Sequence, residues 1–399
     1  MRDTGFGLDV AVVGGCGHVG LPLALAFADR GLAVGIVDID PAKVAEVRGG
    51  QMPFDEPGAE EALVRALDGG LELSTDASLV SRAEHVVVVV GTPIDEHLNP
   101  SPEVVPRAVI DLCPWLRSGQ LLVLRSTVYP GVTAMVEREV AKRAPGVDVV
   151  FCPERIAEGR ALDELFRLPQ LVSGRDDQAV SRAEKLFAQL TADTVRLTPE
   201  EAELAKLFTN TWRYLKFAVA NQLYMIANNY GLDYERIRSA LAFDYPRAAD
   251  LPSAGLAAGP CLLKDTMQLA AFNNNNFVLG HAAMMINEGL PLYLADRIEQ
   301  RYGLGDRTIG ILGMSFKAES DDIRASLSYK LKRILRFKAK EVLCTDPYVR
   351  DDPDLTPLDV VLDRCDLLVI GAPHRCYRDL DAHQPVVDVW NLFGRGVQV

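Results

Sequence analysis

The stretch Leu8–Asp38, LDVAVVGGCGHVGLPLALAFADRGLAVGIVD, decides the fold. Leu8 to Val13 is an apolar run rich in Val and predicts a strand. Gly15-Cys16-Gly17-His18-Val19-Gly20 follows, then a helix-like LPLALAFADRG and a second strand, AVGIV, that ends at Asp38. A strand, a glycine-rich turn, a helix and a strand, with an acid about twenty residues beyond the glycines, form the dinucleotide-binding pattern. In this reading Gly15 permits the tight turn and Gly17 lets a pyrophosphate approach the backbone. Gly20 lets helix and strand pack closely, and His18 and Val19 complete the turn at the helix N-terminus, which faces the anion. Asp38 would accept hydrogen bonds from both ribose hydroxyls and repel a 2′-phosphate, so NAD is expected rather than NADP. The alternative, a glycine turn of purely structural purpose, is disfavoured by the strand–helix–strand context.

The alternation continues outward. Strand EHVVVVVG (Glu84 to Gly91) leads to Thr92-Pro93, and a helix around Pro106 to Leu116 leads to strand QLLVLRST (Gln120 to Thr127). Tyr129-Pro130-Gly131, another helix, strand DVVFCPE ending at Glu154 and a further strand–helix pair carry the pattern to about Leu197. This predicts a doubly wound parallel sheet, with ligands beyond the carboxyl ends of the strands. Gly91, Thr92, Pro93, Ser126, Thr127 and Glu154 stand at those ends. Any one of them reads equally well as a turn or cap residue; their convergence on one sheet edge favours a site. A second alternating segment opens at Thr308 with TIGILGMSFK, a polar stretch Ala318–Arg324 and a basic helix to about Lys340. Its Gly310-x-x-Gly313 lacks the full dinucleotide pattern. The expected fold is therefore α/β, with two Rossmann-like doubly wound domains joined by a long central helix and a helical middle domain. The expected boundaries are 1–197, 198–303 and 304–399.

The joining stretch, TPEEAELAKLFTNTWRYLKFAVANQLYMIANNY, runs from Thr198 to Tyr230 without an internal Gly or Pro. Thr198 can cap it, Pro199 suits its first position and Glu201 completes a capping box, while Gly231 offers a left-handed stop. Apolar residues at Leu204, Leu207, Phe208, Leu215, Val219, Leu223 and Ile226 predict a largely buried rod. Lys206 and Asn210 lie one turn apart on it, and a buried cation and amide need partners. Asp233 to Leu241 reads as a shorter helix, Phe243 to Gly259 as a loop, Asn273 to Asn276 as a solvated connection, and Val278 to Arg301 as a second long helix that contains Pro291. Between loop and helix stands Gly259-Pro260-Cys261-Leu262-Leu263-Lys264-Asp265. A free cysteine is usually inert packing. A helix beginning near Pro260, together with Lys264, would instead lower the Cys261 thiol pKa. A thiolate beside an NAD site suggests covalent oxidation of an aldehyde, in which a thiohemiacetal gives up hydride to form a thioester.

Bulk properties narrow the partners. A chain of 399 residues is expected to hold two or three domains. A net charge of -13 argues against non-specific binding to nucleic acid or an anionic membrane. Apolar runs such as Val86 to Val90 are far short of a membrane span. The start MRDTGFGLDV lacks a basic region followed by an apolar core, so no signal peptide is expected. Seven cysteines without a C-x-x-C pair suit reduced thiols and a cytoplasmic location, and the six histidines show no metal-ligand spacing.

The motifs together resemble the nucleotide-sugar dehydrogenases, the family of UDP-glucose, GDP-mannose and UDP-N-acetylmannosamine dehydrogenases. The resemblance runs from Val10 to about Asn391. It is carried by GxGxxGLPLA at Gly15, STVYPG at Ser126, CPE-R at Cys152, AELAKLFTNTWR at Ala202, C-x-x-K-D at Cys261 and GMSFKAESDDIR at Gly313. It implies oxidation of the C6 hydroxymethyl of a nucleotide-linked hexose to a carboxylate, using two NAD per sugar. It makes Cys261 the nucleophile, with Lys206 and Asn210 stabilising the alkoxide and thiohemiacetal oxygen. Asp265 and Thr127 would hold a water, and Glu154 would assist hydrolysis. Lys317, with Gly259, would meet the substrate, and Arg324 the cofactor. Arg247 would reach into a neighbouring subunit's sugar site, which makes the chain a homodimer or higher homo-oligomer with the long helix as a dimer element. The C-terminal domain would bind the nucleotide.

Two departures bear on the sugar. The loop before the cysteine, Ala257-Ala258-Gly259-Pro260, is poorer in glycine and slightly shorter than the family's, and Trp390 replaces an arginine common in the UDP-glucose branch. The Lys264-Asp265 pair looks more like the UDP-glucose and GDP-mannose branches, so a non-acetylated hexose of the UDP- or dTDP-glucose type is expected, with a UDP-N-acetylhexosamine as the alternative. Two other classes stand beside this reading. One is a two-electron hydroxyacid dehydrogenase in which Cys261 merely packs, a class that needs no third domain. The other is a binding module without chemistry, which leaves Cys261, Lys206, Asn210 and Asp265 unexplained.

Overall fold

The structure, a computed structural model, describes residues 5–92, 94–95, 99–350, 352–397 and 399. Eight strands form the first sheet: β1 (Leu8–Val13), β2 (Val34–Val37), β3 (Glu72–Ser74), β4 (Ala83–Val88), β5 (Leu121–Leu124), β6 (Asp148–Phe151), β7 (Gln170–Gly174) and β8 (Thr194–Leu197). Their order is β3-β2-β1-β4-β5-β6-β7-β8, so the winding reverses between β1 and β4. That switch point opens a crevice beyond the two carboxyl ends. The strands are apolar runs because helices cover both faces: Val10, Val12, Ile36, Val87 and Val123 are wholly buried. The expected parallel winding fails at one place. β6 and β7 are antiparallel, with Val150 opposite Gly174 and Phe151 opposite Ser173. Their connection carries only the seven-residue helix Ala161–Arg167.

The long helix spans Pro199–Asn229. Its capping box forms as read: the Thr198 amide donates to Glu201 Oε2 at 2.8 Å and the Glu201 amide to Thr198 Oγ1 at 3.3 Å. Gly231 follows at φ +68°. The buried rod holds for one face only. Leu207, Tyr214, Ala218 and Tyr224 are buried, whereas Phe208, Trp212, Val219, Leu223, Ile226 and Tyr230 are exposed. Those exposed residues recur at three-, four- and seven-residue steps, the spacing of a single apolar seam.

The chain divides into two compact units, Met1–Phe208 and Thr209–Val399. The second unit holds helices Tyr234–Ala242, Leu262–Phe272 and Val278–Tyr302, the last with Pro291 inside it. It also holds a parallel sheet of β9 (Thr308–Leu312), β10 (Glu341–Thr345), β11 (Leu367–Ile370) and β12 (Val386–Val387), in the order β10-β9-β11-β12. Gly310 is a packing glycine: a Cβ there would lie 2.7 Å from Val361 and 2.8 Å from Leu368. The asparagine run is a turn, with Asn274 and Asn275 at φ +53° and +58°, a conformation asparagine tolerates better than most residues. Among the described residues no helix is long and apolar enough to cross a membrane.

Candidate active site

In the first unit the glycine turn sits at the switch point, but its tight position is Gly14 rather than Gly15. Gly14 has φ +75°, and a Cβ there would fall 2.1 Å from the Val89 carbonyl oxygen. Gly15 is required by packing, since its Cβ would meet Ile36 at 2.7 Å. A Cβ on Gly20 would strike the Gly14 carbonyl oxygen at 2.5 Å, so helix Gly20–Asp29 is drawn close onto the turn. At Gly17 the nearest atom would be 3.8 Å away, the open side a pyrophosphate needs. Val19 caps this helix without a side-chain bond, and the His18 ring lies 4.1 Å from that of Phe54. Asp38 follows β2, with one carboxylate oxygen accepting from the Cys16 amide at 2.9 Å and the other from the Asp40 amide at 3.1 Å. The cradle therefore fits a dinucleotide: an uncrowded glycine at the helix start and a carboxylate pinned by two amides just beyond the second strand.

Gly91 and Thr92 follow β4; Pro93 lies outside the described residues. Ser126 is committed to the scaffold, because its hydroxyl accepts from the Val90 amide and donates to the Val90 carbonyl, both at 2.8 Å. Thr127, next in chain, is half-buried. The helix after it, Val132–Arg143, is anchored by the buried Glu203 of the long helix, whose carboxylate accepts from the Gly131 and Thr133 amides at 2.6 and 2.8 Å. Glu154 is buried and ion-paired with Arg125, itself 1% exposed. Arg125 also donates to the Cys152 carbonyl at 3.2 Å and to Gln170 Oε1 at 3.0 Å. The second Glu154 oxygen accepts from the Arg155 and Ile156 amides at 2.5 and 2.8 Å. Sequence reading missed both Arg125 and Glu203. The signal for Arg125 was present as a charge embedded in QLLVLRST, which must be paired if the strand is buried.

Lys206 and Asn210 are both buried, on successive turns of the long helix. In the second unit the Asn210 amide donates to Asp265 Oδ2 at 2.5 Å, and Lys264 Nζ stands 3.2 Å from Asp265 Oδ1. Asp265 is wholly buried. Asn210 keeps a second N–H for another acceptor. Cys261 is the N-cap of helix Leu262–Phe272, one turn before Asp265, and is exposed. The other six thiols are pushed above their ordinary range. Burial is the leading cause in each: Cys16, Cys152 and Cys344 reach about 12 and Cys365 about 11, with Cys113 and Cys376 also raised. Of the two exposed cysteines, Cys261 and Cys376, only Cys261 stands at the head of an α-helix, where an anion is favoured.

Gly259 adopts φ +110°. Arg247 is exposed in the preceding loop, its guanidinium 5.2 Å from the Tyr245 ring centroid. Lys317 follows β9, half-buried, in a turn where Ser315 Oγ donates to its carbonyl at 2.7 Å. Arg324 grips Asp322 with Nε and Nη2, at 2.9 and 2.6 Å.

Residues 8–191 match the model of the UDP-glucose/GDP-mannose dehydrogenase family's NAD binding domain, residues 200–288 its central domain and residues 310–395 its UDP binding domain. A UDP-N-acetyl-D-mannosamine dehydrogenase of Pyrococcus horikoshii is 31% identical over 98% of this chain and 93% of its own. One of Methanocaldococcus jannaschii is 28% identical over 96% and 89%. Among solved structures, UDP-D-ManNAc dehydrogenase from Pyrococcus horikoshii superposes with a TM-score of 0.90 at 26% identity, over 98% of this chain and 97% of that one. A UDP-glucose dehydrogenase from Pyrobaculum islandicum gives 0.88 at 29% identity, over 97% and 95%.

Proposed function

Because the chain belongs to the UDP-glucose/GDP-mannose dehydrogenase family and is an NAD-dependent nucleotide-sugar dehydrogenase, we propose that it oxidises the C6 hydroxymethyl of a UDP-linked N-acetylhexosamine, of the UDP-N-acetylmannosamine type, to the uronate. The acetylated sugar replaces the glucose-type substrate expected from the Lys264-Asp265 pair, and the two archaeal relatives support it. Lys264 is engaged with a buried Asp265 that in turn holds Asn210. Its contacts in the structure are thus with Asp265 and, through it, the long helix. UDP-glucose is the second reading, favoured by the Pyrobaculum likeness.

The Asn210–Asp265 bond one turn behind an exposed helix-capping Cys261 carries the proposal. NAD accepts hydride in each of the two oxidations. Lys206 and the free N–H of Asn210 stabilise the alkoxide oxygen. The Cys261 thiolate adds to the aldehyde carbon, and the resulting thiohemiacetal loses hydride to leave a thioester. Water then cleaves the C–S bond, releasing carboxylate and regenerating the thiol. Asp265 and Thr127 hold that water and Glu154 assists. Asp38 is assigned to the ribose, the turn from Gly15 to Gly20 to the pyrophosphate, and Gly91, Thr92, Pro93, Ser126 and Arg324 to the cofactor. Lys317, Gly259 and a partner's copy of the Arg247 side chain hold the sugar nucleotide. This assigns NAD binding to 1–197, the cysteine and dimer contacts to 198–303, and the nucleotide to 304–399. The exposed seam on the long helix supports a homodimer, and seven free thiols support a cytoplasmic location.

The test is NADH released per sugar across UDP-N-acetylmannosamine, UDP-glucose and GDP-mannose. We expect turnover fastest on the first, with two NADH per sugar, no free aldehyde and loss of steady-state turnover in Cys261→Ser. One NADH per sugar, or full activity in Cys261→Ser, refutes the thiol route.

A further inference from the structure

The loop that leads to Cys261 is gripped from two sides. On the helix side, Asn221 of the long helix takes both polar groups of Gly255: its Oδ1 accepts from the Gly255 amide at 2.9 Å and its Nδ2 donates to the Gly255 carbonyl at 3.1 Å. The same Nδ2 donates to Asn287 Oδ1 at 2.9 Å, and Asn287 donates to the Tyr214 carbonyl at 3.2 Å. Both asparagines are buried, at 1% and 0% exposure. On the other side stand two rings from the carboxyl edge of the C-terminal sheet. Trp390, just beyond β12, packs against Gly255, where a Cβ would come 2.2 Å from its ring carbon Cζ3. Phe316, just beyond β9, lies on Gly259, where a Cβ would come 2.7 Å from its Cδ2. Both loop positions are therefore closed to any side chain, and the rings fill the space. Trp390 is itself held, its indole N–H donating to the Gly371 carbonyl at 3.2 Å and its amide to Asp388 at 3.1 Å.

We propose that Trp390 and Phe316 are positioning residues that transmit occupancy of this sheet edge to Cys261. The inference rests on the reading that the nucleotide binds there. The loop is packed between a fixed amide clamp and two rings, and such packing is close to incompressible. A ligand that shifts or stiffens the turns carrying the rings must move Gly255 and Gly259, six and two residues before the nucleophile. Trp390 stands where an arginine is common in the UDP-glucose branch, and its indole couples the turn beyond β12 to the cysteine loop by shape rather than charge.

The experiment uses the full chain and UDP. Calorimetry measures UDP binding, and alkylation of Cys261 by iodoacetamide, followed by mass spectrometry of its peptide, measures the thiol. In the native protein saturating UDP is expected to change the Cys261 alkylation rate by about fivefold, a modest coupling. Trp390→Ala should bind UDP with a Kd within about threefold of native, yet lose most of that change and show a lowered kcat at little-altered KM; Trp390→Phe should restore it in part. An unaltered UDP effect in Trp390→Ala overturns the proposal, because the ligand then acts on Cys261 without the ring. So does an unresponsive thiol in native protein with UDP bound. Absence of UDP binding to the native chain removes the underlying assignment of the nucleotide site instead. The same comparison on Phe316→Leu decides the matter if Trp390→Ala does not fold.

Discussion

Replacing Arg125 with Met tests how the Glu154 site is built. The guanidinium is 1% exposed, ion-paired with Glu154, bonded to Cys152 and Gln170, and stacked 4.9 Å from the Phe187 centroid. Methionine keeps the stem volume but leaves the Glu154 carboxylate without its cation and the Gln170 oxygen without its donor. Breaking a buried pair from one side costs about 3–5 kcal/mol. Two backbone amides still solvate Glu154, so the lower end, about 3 kcal/mol, is expected. For a unit of this size that lowers the unfolding temperature by about 6–12 °C. Arg125→Lys, which keeps the charge and loses the fork, should cost roughly half as much. Arg125→Met with Glu154→Gln should cost about 2 kcal/mol less than the two single losses added, since the uncompensated charge is gone. The assay is urea unfolding of the native protein, the three single variants (Arg125→Met, Arg125→Lys and Glu154→Gln) and the double variant, followed by near-UV signal. A loss under about 1 kcal/mol in Arg125→Met, or strict additivity in the double variant, would show that the pair is not the buried support described above.

Three further outcomes follow from the geometry. Asp38→Ala should raise NADP efficiency relative to NAD by about tenfold or more through lost charge repulsion, read from kcat/KM with each cofactor; an unchanged ratio removes Asp38 from the ribose site. Leu223→Asp, in the exposed seam of the long helix, should shift sedimentation towards monomer and lower activity, whereas a native-like oligomer would move the interface elsewhere. Asp346 is raised by burial, but His374 at 3.0 Å and the Ser315 and Tyr348 amides outweigh that and hold its carboxyl below the ordinary range. The unfolded chain then binds the proton first as pH falls below about 4, so stability drops there and levels off below the folded value. Asp346→Asn should flatten that part of the stability–pH curve, and an unchanged slope would mean other carboxylates dominate acid unfolding.

What the sequence determined by itself was everything whose cause is local. The strand from Leu8 to Val13, the helix opened by Thr198 and Glu201, its stop at Gly231 and the cysteine at the head of a helix are all written in propensity and capping within a few residues. The glycine motif, the acid after β2 and the Lys206–Asn210 spacing named the family and most of the candidate site for the same reason. The tertiary structure decided what depends on residues far apart in the chain. It moved the tight turn from Gly15 to Gly14, because the Val89 carbonyl, just beyond β4 and far along the chain, forbids a side chain there. It reversed β7 against β6, a direction that neither strand's own apolar pattern specifies. It left one face of the long helix exposed, since apolar spacing says which residues share a side but not whether anything covers it. It also set Lys264 against Asp265 and Asp265 against Asn210, 55 positions distant. A pair that read in sequence as a mark of the sugar is, in three dimensions, tied through Asp265 to the Asn210 amide of the long helix.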